Sequence, residues 1–385
     1  MLTCKYSKFS LPVRETYLNC AYMSPMLKSV EKVGIRALRS KRNPGAIQAD
    51  DFFTGAKLLK TEFARLIHAA DANSIAIIPS VSYGMATVTR NLKMSKGQHV
   101  LVAEAQFPSN YYPWQTISEE ISSEVRIVSP PKQFNDRGRD WNIKFLESIN
   151  AKTRAVAIAH THWADGTKFD LEAIRKRTKE VGALLIVDGT QSVGALTFDV
   201  QKIQPDALIC AGYKWLLGPY SLGLAYYGVY FNDGKPIEEN WINRLESENF
   251  SGLNNYEARY QPGASKYSVG EQSNFILVPM LKTAITQLNR WGTDNIQEYC
   301  KAIAGPAITA LREKGFQIED EPYRASHLFG IRHPAYSDWQ TIKEKLNKNN
   351  IHVSFRGDAI RVSPHTYNDA NDVSKLAKVL IAGLR

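Results

Sequence analysis

The stretch ALLIVDGTQSVGALTFDVQKIQPDALICAGYKWLLGP, residues 183–219, contains two short apolar runs, each followed closely by a charged side chain. The runs ALLIV and ALICA have the length and the continuous apolar character of strands that are buried on both faces of a parallel sheet. Asp188 ends the first run, and Lys214 stands three residues after the second. Because a buried carboxylate or ammonium is costly without an opposite charge or hydrogen bonds, both side chains need a chemical explanation.

The composition is that of a large globular chain. Its 385 residues, 44% of them hydrophobic, are enough for about two domains. No apolar run has the length of a signal-peptide core or a membrane span, so we expect a cytoplasmic protein without a membrane partner. The net charge of +10 has no nucleic-acid-binding motif beside it, and we predict no nucleic-acid partner. Four cysteines without metal-ligand spacing predict reduced thiols and no metal site: Cys4, Cys20, Cys210 and Cys300.

Short apolar runs alternate with helical patterns along most of the chain. The strand-like runs in the first two thirds are residues 74–78, 99–105, 125–129, 155–160, 183–188, 207–212 and 222–228. This alternation predicts an α/β fold with a mainly parallel mixed sheet between layers of helices. Thr54 is predicted to cap a helix that ends near Ile67.

The pattern changes beyond residue 279. Two helical segments are followed by strand-like runs, of which FQIED at 316–320 is the first, and this order predicts a smaller α+β domain. We therefore predict three parts of the chain: an N-terminal arm that packs with the small domain (1–20), a large domain (21–278) and a small C-terminal domain (279–385).

Three residues of the opening stretch form a set that pyridoxal phosphate requires. Taken alone, Asp188 is typical of a turn residue, and Lys214 of a lysine whose stem lies on apolar surface while its ammonium reaches water. With Gln191, however, they supply a lysine for a Schiff base, an acid for the pyridinium nitrogen and a donor for the phenolic oxygen. The combination favours a cofactor site over separate structural roles.

The blocks VDGTQSVGALTFDV and CAGYKWLLGPYSLGLAYYG, which contain these residues, resemble the class V aminotransferase family of fold-type I pyridoxal phosphate enzymes. That family also includes isopenicillin N epimerase-like proteins, cysteine desulfurases and kynureninases. The resemblance extends over nearly the whole chain and implies the fold-type I architecture. It further implies that Lys214 forms the internal aldimine, that Asp188 contacts the pyridine nitrogen, and that Gln191 contacts the phenolic oxygen.

The same resemblance implies further contacts with the cofactor. The strand-to-helix turn in IIPSVSYGMATV matches the phosphate cradle of the family, with the amide of Val81 and the hydroxyl of Ser82 as ligands. Without the resemblance, its serines would be interpreted as an ordinary helix cap. Phe107 falls at the position that stacks on the ring, and Tyr213 at a position that contacts the phosphate.

The resemblance also implies a homodimer with shared active sites and a small amino acid as substrate. Ser273, with Gln272 beside it, is expected to reach the phosphate of the partner subunit. Arg361 is the first candidate for binding the substrate carboxylate, because a guanidinium fork matches a carboxylate, and Arg356 is the second. Three further side chains are candidates for lining the site, although a structural role is as acceptable for the histidines: Asn19, His160 and His162.

The reaction type stays open, because transamination, epimerisation, β-elimination and hydrolytic cleavage use the same machinery. No cysteine follows Cys300, which argues against a persulfide-forming cysteine desulfurase. We favour a class V aminotransferase-like enzyme, either a transaminase or an epimerase, over a pyridoxal phosphate-dependent carbon–sulfur lyase. A third hypothesis is a non-catalytic module that binds a phosphorylated ligand; it rests on Trp163, which stands where many relatives have an asparagine.

Overall fold

The computed structural model describes residues 2–13, 15–333 and 339–384. Its strands, in chain order, are β1 Thr16–Tyr17, β2 Ile75–Ile78, β3 His99–Ala103, β4 Glu124–Val128, β5 Thr153–Ala159, β6 Leu184–Asp188, β7 Ala207–Ala211, β8 Gly223–Tyr227, β9 Phe329–Ile331, β10 Ile351–His352, β11 Ser354–Arg356 and β12 Ala359–Val362. Its α-helices are α1 Lys28–Ser40, α2 Asp51–Leu66, α3 Val81–Asn91, α4 Tyr112–Glu120, α5 Arg137–Ser148, α6 Leu171–Val181, α7 Val200–Ile203, α8 Leu277–Trp291, α9 Thr293–Glu313, α10 Trp339–Lys348 and α11 Ala370–Ala382.

A seven-stranded mixed sheet, in the order β2-β8-β7-β6-β5-β3-β4, lies at the centre of the molecule. Strands β4, β3, β5, β6 and β7 are parallel, whereas β8 pairs antiparallel with both β7 and β2. The predicted α/β class with a mainly parallel mixed sheet is confirmed. Because β6 and β7 are parallel neighbours, Asp188 and the turn that carries Lys214 lie at the same edge of this sheet.

Helices cover both faces of the central sheet, and the side chains of each strand alternate between the two layers. In β6, Leu185 and Val187 belong to the hydrophobic cluster that includes α1, α2 and α8, while Leu184 and Ile186 belong to the one that includes α3. This burial on both faces explains why the inner strands are continuously apolar in sequence. Among the residues that the structure describes, no helix combines the length and apolar content needed to cross a membrane.

Two smaller sheets accompany the C-terminal helices. Strands β11, β12 and β9 form an antiparallel sheet, and its apolar side packs with α9, α10 and α11. Strand β1, near the N-terminus, pairs in parallel with β10, so residues 16–17 run beside the C-terminal segment. The boundaries of the three-part division at residues 20 and 278 stay a prediction.

Two local predictions were wrong. Helix α2 begins at Asp51 with Asp50 in the N-cap position, one turn before Thr54. Residues 316–320 do not form a strand: Gln317 makes only an isolated bridge with Arg332, and a 3-10 turn that contains a proline follows from Glu321. The proline lies beyond the run and prevents a strand from extending in that direction, because it lacks a backbone donor.

Candidate active site

A cavity of about 300 Å³ opens at the carboxyl ends of β6 and β7. Its size is at the lower end of the range for small-molecule sites, and the carboxyl edge of a parallel sheet is the usual place for them. Seven of the side chains predicted for the site line this one cavity: Val81, Ser82, Phe107, Asp188, Gln191, Tyr213 and Lys214.

The carboxylate of Asp188 is 5% exposed at the end of β6. It accepts a hydrogen bond from the backbone N–H of Thr190 at 3.0 Å, and the Thr190 hydroxyl in turn accepts one from the backbone of Ala211 at 3.2 Å. Burial raises the pKa of Asp188, while its hydrogen bonds with Thr190 and the charge of Lys214 only oppose that rise. The carboxylate is therefore held in place, but the positive charge near it does not offset the cost of its burial.

Lys214 is 6% exposed, and its Nζ lies 5.4 Å from the ring centre of Phe107 and 5.5 Å from that of Tyr213. Burial lowers the pKa of Lys214 to about 8; the positive charge of Arg361 lowers it further, and Asp188 opposes this. No hydrogen bond or ion pair within the described part of the chain engages Nζ. A lysine amine with a lowered pKa is more often neutral, which is the form that acts as nucleophile or base.

Three residues in or near the cavity wall have left-handed backbone conformations. Leu217 follows Lys214 with φ of 53°, Ser221 lines the cavity with φ of 64°, and Ala105 precedes Phe107 with φ of 52°. Side chains rarely adopt this left-handed conformation, and a bulky residue such as Leu217 does so only when its surroundings impose it. Leu217 is fully buried, and its N–H donates to the Lys214 carbonyl, so the strained turn fixes the backbone of the lysine.

Gln191 is held from several sides. Its side-chain Oε1 accepts a hydrogen bond from the indole of Trp215 at 2.9 Å, and its Nε2 donates to the carbonyl of Ala21 at 3.1 Å. Its backbone carbonyl lies 2.8 Å from Nε2 of His327. The second N–H of the Gln191 amide is left for a ligand in the cavity.

The amino end of helix α3 forms one wall of the cavity. Ser80 is its N-cap residue: its Oγ accepts a hydrogen bond from the N–H of Tyr83 at 3.2 Å and lies 2.8 Å from Oγ of Ser82. Gly84 lets the helix approach β7 closely, because a Cβ there would stand 2.7 Å from Ile209. Two hydroxyls beside a helix N-terminus provide a site suited to an anion.

The two predicted substrate arginines lie on the hairpin of β11 and β12 and do not line the cavity themselves; they contact it through Trp163. Nη1 of Arg361 donates to the carbonyl of Trp163 at 2.8 Å, and the guanidinium of Arg356 lies 5.5 Å from the Trp163 ring centre. Trp163 itself lines the cavity and packs edge-on against Phe107, with 5.4 Å between ring centres. Burial, followed by the charge of Arg356, lowers the pKa of Arg361 to about 9.

Other predicted residues lie outside the cavity lining. Asn19 accepts a hydrogen bond from Ser354, which also contacts Arg361, so it is one step removed. Ser273 is 9% exposed and does not line the cavity of its own chain. His162 lies 3.1 Å from the carbonyl of Glu104 and 3.3 Å from Asp165, as expected of a structural histidine.

His160 packs against Phe198, and burial lowers its pKa to about 3. Several residues that line the cavity were not predicted from the sequence, among them Thr190, Tyr220 and Ser221. Thr190 carries a usable signal, since the side chain of a strand-ending aspartate often accepts a hydrogen bond from the backbone N–H two residues on. Tyr220, whose ring lies 4.6 Å from that of Tyr213, depends on the strained turn and carries none.

No cluster of histidine, cysteine, aspartate and glutamate side chains in the described ranges could hold a metal ion. Three of the cysteines, Cys20, Cys210 and Cys300, are buried, and burial raises the pKa of each thiol. For Cys20 the pKa rises to about 12. None of the four cysteines lines the cavity.

Known proteins resemble this chain in sequence. The family model for aminotransferase class-V proteins matches residues 48–376. The uncharacterized aminotransferase YcbU of Bacillus subtilis is 27% identical over 82% of this chain and 80% of its own. A probable cysteine desulfurase of Methanothermobacter thermautotrophicus is 31% identical, covering 82% and 81% of the two chains.

Solved structures share the fold at low sequence identity. The apo structure of a cysteine desulfurase from Thermococcus onnurineus superimposes with a TM-score of 0.83 at 17% identity, covering 100% of this chain and 99% of that one. At this identity the likeness concerns the fold alone, and it confirms the predicted fold-type I architecture.

Proposed function

We propose that this chain, which belongs to the aminotransferase class-V family of pyridoxal phosphate enzymes, acts on a small amino acid as a transaminase or an epimerase. One observation carries the proposal: a buried lysine with a lowered pKa and a buried carboxylate with a raised pKa, Lys214 and Asp188, face one cavity. Two ionisable side chains that are unfavourable to bury, one a base and one an acid, at one ligand-sized cavity are typical of a catalytic site.

The residues around the cavity fit the cofactor. The N-terminus of α3, with the amide of Val81 and the hydroxyl of Ser82, suits a phosphate dianion. The buried carboxylate of Asp188, which needs a positive partner, suits a pyridinium nitrogen. The remaining N–H of Gln191 suits the phenolic oxygen. Phe107 provides an apolar face 5.4 Å from Nζ of Lys214, as a stacking side chain needs.

Lys214 is the proposed catalytic base at the substrate α-carbon. When bound, pyridoxal phosphate supplies the electron sink that makes the α-proton removable. Lys214 then takes the proton on Nζ and returns it, because its lowered pKa leaves a useful fraction of neutral amine near neutral pH. With the cofactor bound, the carboxylate of Asp188 would stabilise a protonated ring nitrogen, and Phe107, Tyr213 and Trp163, which line the cavity, would limit the access of water.

Arg361 is the proposed ligand of the substrate α-carboxylate. It is 1% exposed, it is held by Trp163 and Ser354, and its charge reaches Lys214, whose pKa it lowers. A guanidinium fixed in this way can orient the α-carbon toward the lysine amine. Asn19, which holds Ser354, supports the clamp from behind.

A carbon–sulfur lyase is the second candidate, favoured by the desulfurase relative at 31% identity. A desulfurase that stores sulfur on its own cysteine is not supported, because the thiols with raised pKa lie outside the cavity lining. β-Elimination from a sulfur-containing substrate needs no such thiol, since Lys214 and Asp188 provide the same carbanion chemistry.

We also propose a homodimer in which Ser273 contacts the partner's cofactor. Its support is the family resemblance of this segment, together with the position of Ser273, which precedes α8 and does not line the cavity of its own chain. Mixing Lys214→Ala subunits with Ser273→Ala subunits tests this, at a cofactor concentration too low to load Ser273→Ala alone. Regained activity in mixed dimers is expected, and its absence in confirmed mixed dimers contradicts the shared site.

Product analysis of the reconstituted protein with single amino acids separates the reactions. A transaminase forms one equivalent of 2-oxo acid per cofactor without an acceptor and turns over only when an acceptor oxo acid is added. An epimerase exchanges the α-hydrogen for solvent deuterium without oxo acid, and a lyase releases sulfide, ammonia and oxo acid continuously. The absence of every one of these with a full panel of amino acids would refute the proposal, and Lys214→Ala serves as the blank.

A further inference from the structure

We propose that the substrate carries a second anionic group at the end of its side chain, which Arg356 binds while Arg361 binds the α-carboxylate. This inference rests on the proposed function and names its substrate class: an acidic amino acid with a side-chain carboxylate, or the sulfonate or phosphate that shares its chemistry.

The hairpin presents both guanidiniums on the same face. Ser354 pairs with Arg361 and Arg356 pairs with Ala359 across β11 and β12, so these four residues alternate onto one side. The residues between them, Phe355 and Ile360, belong to the apolar side that packs with the C-terminal helices. Arg356 and Arg361 are thus diagonal neighbours, ~7–8 Å apart along the sheet, and both are oriented away from the core.

Neither guanidinium has a carboxylate partner within the described residues. Arg361 uses Trp163 and Ser354, both neutral, and Arg356 donates only to the carbonyl of Phe355 at 2.8 Å. The buried Nε atoms of both arginines lack a hydrogen-bond acceptor. Leaving buried charged donors unpaired is costly, so two nearby guanidiniums with spare donors indicate a site completed by a ligand.

The nearby acidic side chains are already engaged elsewhere. Asp358, in the turn of the hairpin, accepts a hydrogen bond from Nε of Arg332 at 2.9 Å. Asp165, two residues after Trp163, is held by Arg137 at 3.0 Å and by Arg332 at 2.9 Å. These ion pairs keep both carboxylates away from the substrate arginines.

The charge count favours a ligand with two anionic groups. Asp188 is the one acidic side chain among the described residues that line the cavity; the two arginines contact the lining residue Trp163 but are not part of the lining. Lys214, Arg356 and Arg361 repel one another, since the charges of both arginines lower the pKa of the lysine. The α-carboxylate of a neutral amino acid would neutralise one guanidinium and leave the other unpaired. A dicarboxylic amino acid of four or five carbons would pair both.

The first test uses the apo-protein and does not depend on turnover. The thermal unfolding midpoint of wild type is measured with succinate or glutarate and with a monocarboxylate of the same chain length. We expect the dicarboxylates to raise the midpoint more, and this extra rise to disappear in Arg356→Gln. Equal effects of mono- and dicarboxylates on wild type would overturn the inference.

The second test uses the holoenzyme. Wild type should prefer aspartate or glutamate over the matching amide in kcat/KM, and Arg356→Gln should reduce that ratio by about tenfold to a hundredfold. Arg356→Lys should restore part of it. Cysteate and O-phosphoserine show whether sulfonate or phosphate replaces the carboxylate. Lys343→Gln is the matched control, because Lys343 lies 5.0 Å from the Phe355 ring on the opposite side of the hairpin and should leave the ratio unchanged.

The two levels of the argument fail separately. If borohydride links the cofactor to Lys214 but neutral and acidic amino acids react equally, the proposed function stands and the dianionic substrate is wrong. An equal loss with both substrate types in Arg356→Gln would likewise assign Arg356 a structural role on Trp163. If no amino acid reacts and Lys214 is not labelled, the proposed function itself fails.

Discussion

Replacing Asp188 by asparagine tests the proposed electrostatic role of this carboxylate with almost no change of shape. The amide oxygen of Asn can still accept the hydrogen bond from the Thr190 backbone, so the turn after β6 should persist. What is lost is a negative charge that is 5% exposed and faces the cavity. A hydrogen bond to a charged group contributes ~1.5–3 kcal/mol, so the variant should bind pyridoxal phosphate about 10- to 150-fold more weakly.

The same substitution should not destabilise the protein without its cofactor. Burial raises the pKa of Asp188 above its value in the unfolded chain. The ionised carboxyl therefore lowers the stability of the folded protein at any pH above that unfolded-state pKa, and protonation at low pH removes this cost. At neutral pH the apo variant should therefore be at least as stable as apo wild type. The difference should shrink as the pH falls through the range in which the carboxyl is protonated.

Both quantities can be measured on the same preparations, by titration of the apo-protein with cofactor and by urea unfolding of the apo-protein across pH. Asp206→Asn is the matched control, because Asp206 lies at the opposite end of β7, 2.7 Å from Arg175. It should lower the urea midpoint and leave cofactor affinity unchanged. Wild-type cofactor affinity in Asp188→Asn would refute the assignment, and a large loss of apo stability would refute the electrostatic reasoning.

The remaining predictions concern residues around Lys214. Arg361→Gln removes a charge that lowers the pKa of Lys214, so the pH midpoint for cofactor capture by the apo-protein should rise from about 8; an unchanged midpoint would contradict the coupling. Asp188→Asn should shift that midpoint in the opposite direction, because Asp188 raises the same pKa. Ser80→Ala removes the N-cap of α3 and should cost ~1 kcal/mol in urea unfolding while weakening phosphate affinity. Weaker cofactor binding with no loss of stability would mean that Ser80 contacts the ligand but does not stabilise the helix.

Much of the fold followed from patterns that are local in sequence. Continuous apolar runs predicted the inner strands to within a few residues, because burial on both faces imposes that composition. The strand prediction for 316–320 was wrong because Phe316 and Ile318 are apolar for a different reason: they pack in the small-domain core, while the backbone pairs only through one isolated bridge at Gln317. Whether such a run pairs depends on distant segments, which periodicity does not report.

The site was predicted unevenly for a similar reason. Asp188, Gln191 and Lys214 could be predicted from the sequence, because residues that follow adjacent parallel strands meet at one edge of the sheet. Tyr220 and Ser221 were not, because a strained turn, rather than any pattern, brings them to the cavity. The unpaired state of Arg356 also required the structure, since it depends on Arg332 engaging Asp358 and Asp165.

Borohydride reduction of the cofactor-loaded protein, followed by peptide mapping, tests the central claim most directly. The chain offers an internal control: Lys60 is also buried, and burial lowers its pKa to about 8 as well, but it lies beside Ser265, away from the cavity lining. We predict a pyridoxyl group on the peptide that contains Lys214, none on the peptide with Lys60, and no stable label in Lys214→Ala. A label on Lys60, or an undiminished label in Lys214→Ala, would contradict the account.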